Sequence, residues 1–256
     1  MPIGRTTTVK PLFLLSIGFL SFAATAAAQP CEKVIDSYLY EPNYCLDNVV
    51  RGNARKYLPQ PGDVLLATDK NVFWKVTHAM ALAFEPHNSA IIVRRSDGSL
   101  GILEAGPNDT LWVGISDMLP HLKEYADKGP VWIRKRKTPL TAEQSACLTD
   151  FAERQCGKRF ALGRLGVQLT PFRDRGPFRT KFLGKPRGDR RSYYCSELVV
   201  ETCVAGGLAD RETTRPSASY PHDLFFERSH NRYINKHMPL EPDWDSPARW
   251  LDHGTE

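Results

Sequence analysis

Apolar positions follow two rhythms along this chain, and together they predict an α+β domain. Val64-Leu65-Leu66-Ala67 is a short apolar run leaving the turn Pro59-Gln60-Pro61-Gly62-Asp63, and it reads as a buried strand. Ala90-Ile91-Ile92-Val93 and Leu100–Ala105 read as two more, joined by the hairpin turn Ser96-Asp97-Gly98-Ser99. Residues 110–113 and Val131–Arg134 continue the series, with 116–125 as a helical crossing between them. Helical spacing first appears in 71–84, where Val72, Val76, Ala79, Met80 and Ala83 form a stripe that Pro86-His87-Asn88 ends. Thr141 caps a second helix running to about Cys156. In a third, Leu198, Val199, Thr202 and Cys203 share one face from Cys195 to Gly206-Gly207. Tyr220-Pro221-His222-Asp223-Leu224 begins the last segment, and no internal repeat is present.

The two ends read differently. Arg5 and Lys10 precede an apolar run over 11–22, and small residues lead to Ala26-x-Ala28, the pattern of a cleaved export signal over 1–28. The rival reading is an uncleaved anchor, since 11–28 is about long enough to span a bilayer if tilted. Residues 29–58 show little periodicity and read as a short helix and a loop; 59–238 form the main domain. The tail 239–256, with Pro239, Pro242 and Pro247, reads as an extended arm. Cleavage of the signal leaves no membrane span and implies a periplasmic or extracellular protein.

Export gives the six cysteines meaning, because disulfides persist in oxidising compartments. Cys31 and Cys45 flank a loop-rich stretch and are expected to pair. Cys147 and Cys156 lie on one predicted helix, roughly 13.5 Å apart, so at most one of them reaches Cys203. Charge is uneven too. The formal net charge is +5, yet residues 158–191 carry eleven Lys and Arg against Asp174 and Asp189, a local +9. Without a nucleic-acid-binding motif in an exported chain, that block points to an anionic envelope polymer or lipid-linked substrate, with Arg173, Arg175 and Arg179 as contacts.

Cys195 falls in or just before the first turn of its helix. Unpaired N–H groups and the positive end of the dipole there stabilise a thiolate, with a pKa expected below roughly 8.5. Cysteine-dependent acyl transfer also needs an imidazole within reach and a polar group to orient it. His87 at the mouth of strand 90–93 and Glu104 on the returning strand supply both types, while Tyr194 and Asn88 are candidate substrate contacts. Each has a plain alternative: a small core residue, a surface imidazole, a solvated carboxylate, a core tyrosine. His121, His230, His237 and His253 show no metal-ligand spacing, and no zinc set, phosphate loop or nucleotide fingerprint is present, so neither metal nor cofactor is expected.

The motifs "PGDVLL", "HNSAIIVRRSDGSLGILEAG", "YYCSELVVETC" and "YPHDL" span most of 60–226 in one order. In that order the chain resembles the circularly permuted papain-fold (NlpC-like) amidases of the YiiX/YaeF type. The resemblance implies a small antiparallel sheet or barrel packed against helices. It also implies Cys195 as nucleophile, an imidazole before strand 90–93 as base, and Glu104 as its partner, cleaving an amide or ester such as a peptidoglycan peptide. Related lecithin:retinol acyltransferase-like proteins suggest lipid substrates instead, with Phe172, Phe178 and Phe182 as apolar lining. A non-catalytic binding module is the third reading. There is one departure: the family's histidine position falls on Asn88, one residue past His87. A one-residue shift turns a strand side chain to the opposite face. Either a bulge at 86–88 restores the aim, or His78 serves as base, or the site has none.

Overall fold

A computed structural model describes residues 37–68, 72–80, 83–107, 110–174, 176, 178, 188–227 and 238–253. Its centre is β3 (Val64–Ala67), enclosed on every side and paired antiparallel with β4 (Asn88–Arg94) and β7 (Val131–Arg134). β5 (Leu100–Ala105) and β6 (Val113–Asp117) continue the sheet beyond β4. The sheet is antiparallel throughout, and its strands alternate between two cores. Leu65, Ala67, Ala90, Ile92, Ile102 and Ile133 face α2 (Met118–Lys128) through Met118, Leu122 and Tyr125. Val64, Leu66, Ile91, Val93, Leu103 and Ala105 face α3 (Ala142–Gln155) and α5 (Cys195–Ala205). With apolar side chains on both faces, the central strands read as continuous apolar runs.

Helix termini follow local chemistry. Thr141 accepts from the Gln144 N–H at 3.1 Å while the Gln144 side chain accepts from the Thr141 N–H at 3.1 Å, a reciprocal cap for α3. α5 is buried from Cys195 to Cys203, so its expected single apolar stripe is in fact a helix enclosed all round. It lies between the sheet and a 3-10 turn at Pro216–Ala218. Gly206 ends it where an added Cβ would meet the Leu148 side chain at 1.8 Å, so any side chain there would displace Leu148 of α3. α1 (Val72–Met80), β8 (Arg159–Phe160), α4 (Leu162–Gln168), β9 (Ser192–Tyr193) and α6 (Pro221–Phe226) complete the described elements, with β8 and β9 as a parallel pair.

The ends correct three expectations. The described part of 29–58 forms no helix: it gives β1 (Tyr38–Leu39) and β2 (Arg55–Lys56). The tail is no free arm, because Ala248–Leu251 is β10, inserted between β1 and β7. The sheet is therefore eight-stranded rather than small. Fully buried Trp250 holds the junction by donating to the Ser37 hydroxyl at 2.6 Å. The cysteines depart as well. Cys45, Cys147, Cys156 and Cys203 are all free thiols; Cys31 lies outside the described residues. Cys203 is sealed in the helix–sheet core while Cys147 and Cys156 are exposed, which keeps them apart. Residues 1–28 also lie outside the described residues, among which no helix is long and apolar enough to cross a membrane.

Asp63 fixes the turn into β3. Its carboxylate accepts from the Tyr57 hydroxyl at 2.7 Å and from the Gln60 and Arg136 N–H groups at 3.1 and 2.7 Å. Burial raises its pKa to about 6 although those donors pull it down. A carboxyl raised in the folded state binds its proton more tightly there than when unfolded. Its contribution to stability is therefore largest below pH 4 and declines as pH rises to about 6. Asp63→Asn abolishes this dependence. The stability difference between variant and wild type should shift in favour of the variant by about 2 kcal/mol between pH 4 and 7. Denaturant titrations at the two pH values measure it, and an unchanged difference would refute the assignment.

Candidate active site

Cys195 is the first residue of α5, following Tyr194 in extended backbone at the N-cap position, where no side chain caps the helix. The thiol is buried, and its Sγ–H reaches the carbonyl oxygen of His87 at 3.9 Å. Burial pushes it up to about 11; the Ser89 and Ser196 N–H groups pull it down, and the Glu104 charge adds to the rise. Enclosure thus outweighs the helix terminus, and the thiolate expected from the sequence gives way to a neutral thiol.

β4 and its neighbours decide what surrounds this sulfur. Pairing between β3 and β4 runs without a break from Val64–Ile91 to Ala67–Asn88, so no bulge re-aims the strand. Asn88, two residues before Ala90, therefore lies on the α2 side. Ser89 shares the α5 side with Ile91, and one residue further back the alternation brings His87 to that side too. Glu104 follows Ile102 to the α2 side. There its carboxylate accepts from the Asn88 amide and the Tyr125 hydroxyl and meets His121 Nε2 at 2.6 Å. Asn88 also donates to the Tyr125 hydroxyl at 2.6 Å. The imidazole on Glu104 is His121, not His87.

His121 is the residue sequence reasoning missed. With Met118, Leu122 and Tyr125 it forms the buried face of α2, and both His121 and Glu104 are nearly inaccessible to solvent. Helical spacing carried that signal, because His121 stands four residues before Tyr125; metal-ligand spacing carried none.

A cleft of about 120 Å³ opens at this end of the sheet. Cys195, His87, Asn88 and Tyr194 all border it, as does His78, whose ring centroid is 5.0 Å from that of His87. Its remaining wall is largely apolar, with Ala83, Leu111, Phe160, Leu165 and Pro221. Phe172 and Phe178 lie at the surface, outside this lining, and Phe182 is outside the described residues. Arg173 is half-buried beyond the cleft wall; Arg175 and Arg179 are likewise outside the described residues. His222 meets the Glu85 carbonyl at 2.7 Å and supports the loop leading to His87.

Part of the basic segment serves structure. Glu197, buried in the first turn of α5, receives both Arg164 terminal nitrogens at 2.7 and 2.6 Å and Arg190 Nε at 3.0 Å. Burial raises the Glu197 pKa in spite of these partners. Lys158 binds Asp189 at 2.7 Å. These contacts brace α4 and β9 against the start of α5, and they withdraw three cations from any role in capturing substrate.

No protein-family model and no curated protein matches this chain. Among solved structures it is similar to the metalloprotein yiiX from Escherichia coli O157:H7 (DUF1105). That likeness has 17% identity over 75% of this chain and 90% of that one, with a TM-score of 0.40. Among the described residues here, no three His, Cys, Asp or Glu side chains are grouped to hold a metal ion.

A thiol raised to about 11 is ionised in only about one molecule in ten thousand at pH 7. Iodoacetamide should therefore modify exposed Cys45 and Cys147 before Cys195 at pH 7. The rate at Cys195 should climb about tenfold per pH unit toward pH 11. Peptide mass spectrometry reads the order of labelling. Labelling of Cys195 first at pH 7 would contradict a neutral, enclosed thiol.

Proposed function

We propose that this chain is a cysteine-dependent acyl hydrolase with a permuted papain-like arrangement, exported to the cell envelope. It acts on an ester or amide whose acyl part is apolar. One observation carries this reading: Cys195 at the start of α5 and His87 open into the same largely apolar cleft. The His87 imidazole takes the Sγ proton as sulfur attacks the carbonyl carbon. N–H groups of the first turn of α5 receive the developing oxyanion. The tetrahedral adduct collapses to a thioester, and the imidazolium returns its proton to the departing alcohol or amine. Water, deprotonated by His87, then releases the acid and restores the thiol. A neutral thiol suits this route, because the base acts only as sulfur attacks.

Glu104 acts at one remove. By holding Asn88 and Tyr125, both of which border the cleft, and His121 behind them, it acts as a positioning residue. The surplus of cations in 158–191 supports an anionic, envelope- or lipid-linked substrate, with Arg173, Arg175 and Arg179 as proposed contacts. A specific observation favours the rival reading, a binding module that retains the fold. Asn88 takes the strand position where the resemblance expects an imidazole, and it donates to Glu104 as that imidazole would.

Hydrolysis of p-nitrophenyl esters separates the two readings. Cys195→Ala should abolish turnover, His87→Ala should lower kcat by about 10²-fold or more, and kcat/KM should rise with acyl length. Glu104→Gln should lower kcat less while reducing stability by roughly 1–3 kcal/mol, since it unbalances a buried hydrogen-bonded cluster. Wild type no faster than Cys195→Ala would establish the binding module.

A further inference from the structure

The cleft opens through an apolar surface. α1 carries Val72, Val76 and Met80 at four-residue spacing, and they are 70%, 51% and 57% exposed. Residues at that spacing share one face of a helix, and this face is turned to solvent. Phe84 follows it, also exposed, on the loop that brings Ala83 to the cleft. Opposite, Leu111 borders the cleft with exposed Trp112 beside it, and α4 exposes Leu162 and Leu169 while its Leu165 lines the wall. Among the described residues, Val49 and Leu58 are the only large exposed apolar side chains outside these segments and the adjoining Phe172 and Phe178. Apolar exposure concentrated around one opening marks an interaction surface.

Charge indicates what covers it. Arg159 lies over the Trp112 ring at 5.6 Å, and Lys128 borders the cleft. The sequence 158–191, which contains α4, keeps eight Lys and Arg beyond Lys158, Arg164 and Arg190, the three held by Asp189 and Glu197. An apolar face flanked by cations is the chemistry that seats a helix in the headgroup region of an anionic bilayer.

We infer that α1 and the rim formed by Leu111, Trp112 and α4 dock on an anionic phospholipid surface, so that an acyl chain passes from bilayer to cleft without crossing water. This deepens the acyl-hydrolase reading and rests on it for the acyl ligand; the docking itself does not require turnover.

Met80 reports on the docking directly. It is 57% exposed, whereas Met118 and Met238 are 5% and 1% exposed, so dilute peroxide should oxidise Met80 ahead of both. The full chain is oxidised alone, with phosphatidylcholine vesicles, and with vesicles containing phosphatidylglycerol, and Met80 sulfoxide is followed by peptide mass spectrometry. Anionic vesicles should slow Met80 oxidation several-fold and neutral ones less. V72D/V76D should weaken the protection about tenfold while hydrolysis of a short soluble ester stays unchanged. Equal oxidation with and without anionic vesicles would overturn docking, even if the chain sediments with them. Protection that grows with protein concentration in the absence of lipid would overturn it in favour of a second copy of the chain. Protection in a protein that hydrolyses no ester would leave the docking standing and remove the acyl-hydrolase reading alone.

Discussion

Successive side chains of β4 leave opposite faces of a sheet that is buried on both, and this parity assigns the chemistry at the site. Asn88 goes to the α2 face and joins Glu104, Tyr125 and His121; Ser89 goes to the α5 face, beside the Cys195 sulfur. The unbroken pairing with β3 makes the assignment rigid, since slipping by one residue would carry Ile91 and Ile92 across the sheet as well. The apolar residues of β4 therefore determine which polar residues can meet, although none of them takes part in the chemistry.

Two electrostatic arrangements follow from that geometry. On the α2 face a buried carboxylate is surrounded by an amide, a hydroxyl and an imidazole, the kind of saturated cluster in which an interior charge is tolerated. On the α5 face the thiol has the advantages of a helix start but little water, and burial is the larger effect. Glu197 shows the same balance one turn later: two arginines hold it, yet enclosure still governs its proton affinity. The first turn of α5 is thus fastened by an ion cluster on one side of a sulfur that stays neutral.

Much of the central fold was legible from apolar rhythm. The strands at 64–67, 100–105 and 131–134 and the helices beginning near Ala142 and Cys195 appear where pattern and caps predicted them. The short strands β1, β2 and β10 were not legible: β1 and β2 are two residues each, Arg249 interrupts the apolar run of β10, and β1 and β10 are fixed by each other across the chain, as Tyr38 is by Leu251. At the site, the place of Cys195 was readable from its helix start, but its ionisation was not, because burial comes from the whole core. The one-residue offset between His87 and Asn88 was visible in the sequence; its consequence waited on the absence of a bulge. His121 was hidden because it carries no metal-ligand spacing, and its signal is its place in the sheet-facing stripe of α2.

The proposed acyl-hydrolase activity requires that sulfur at Cys195 forms a covalent bond to an acyl group held in the cleft. Brief exposure of the full chain to a long-chain p-nitrophenyl ester, acid quench and intact-mass analysis with peptide mapping tests this most directly. A single acyl increment is expected on the peptide containing Cys195, absent from Cys195→Ala and accumulating when deacylation is slowed at low temperature. No adduct in any time window, or an adduct confined to exposed Cys45, Cys147 or Cys156, would contradict it.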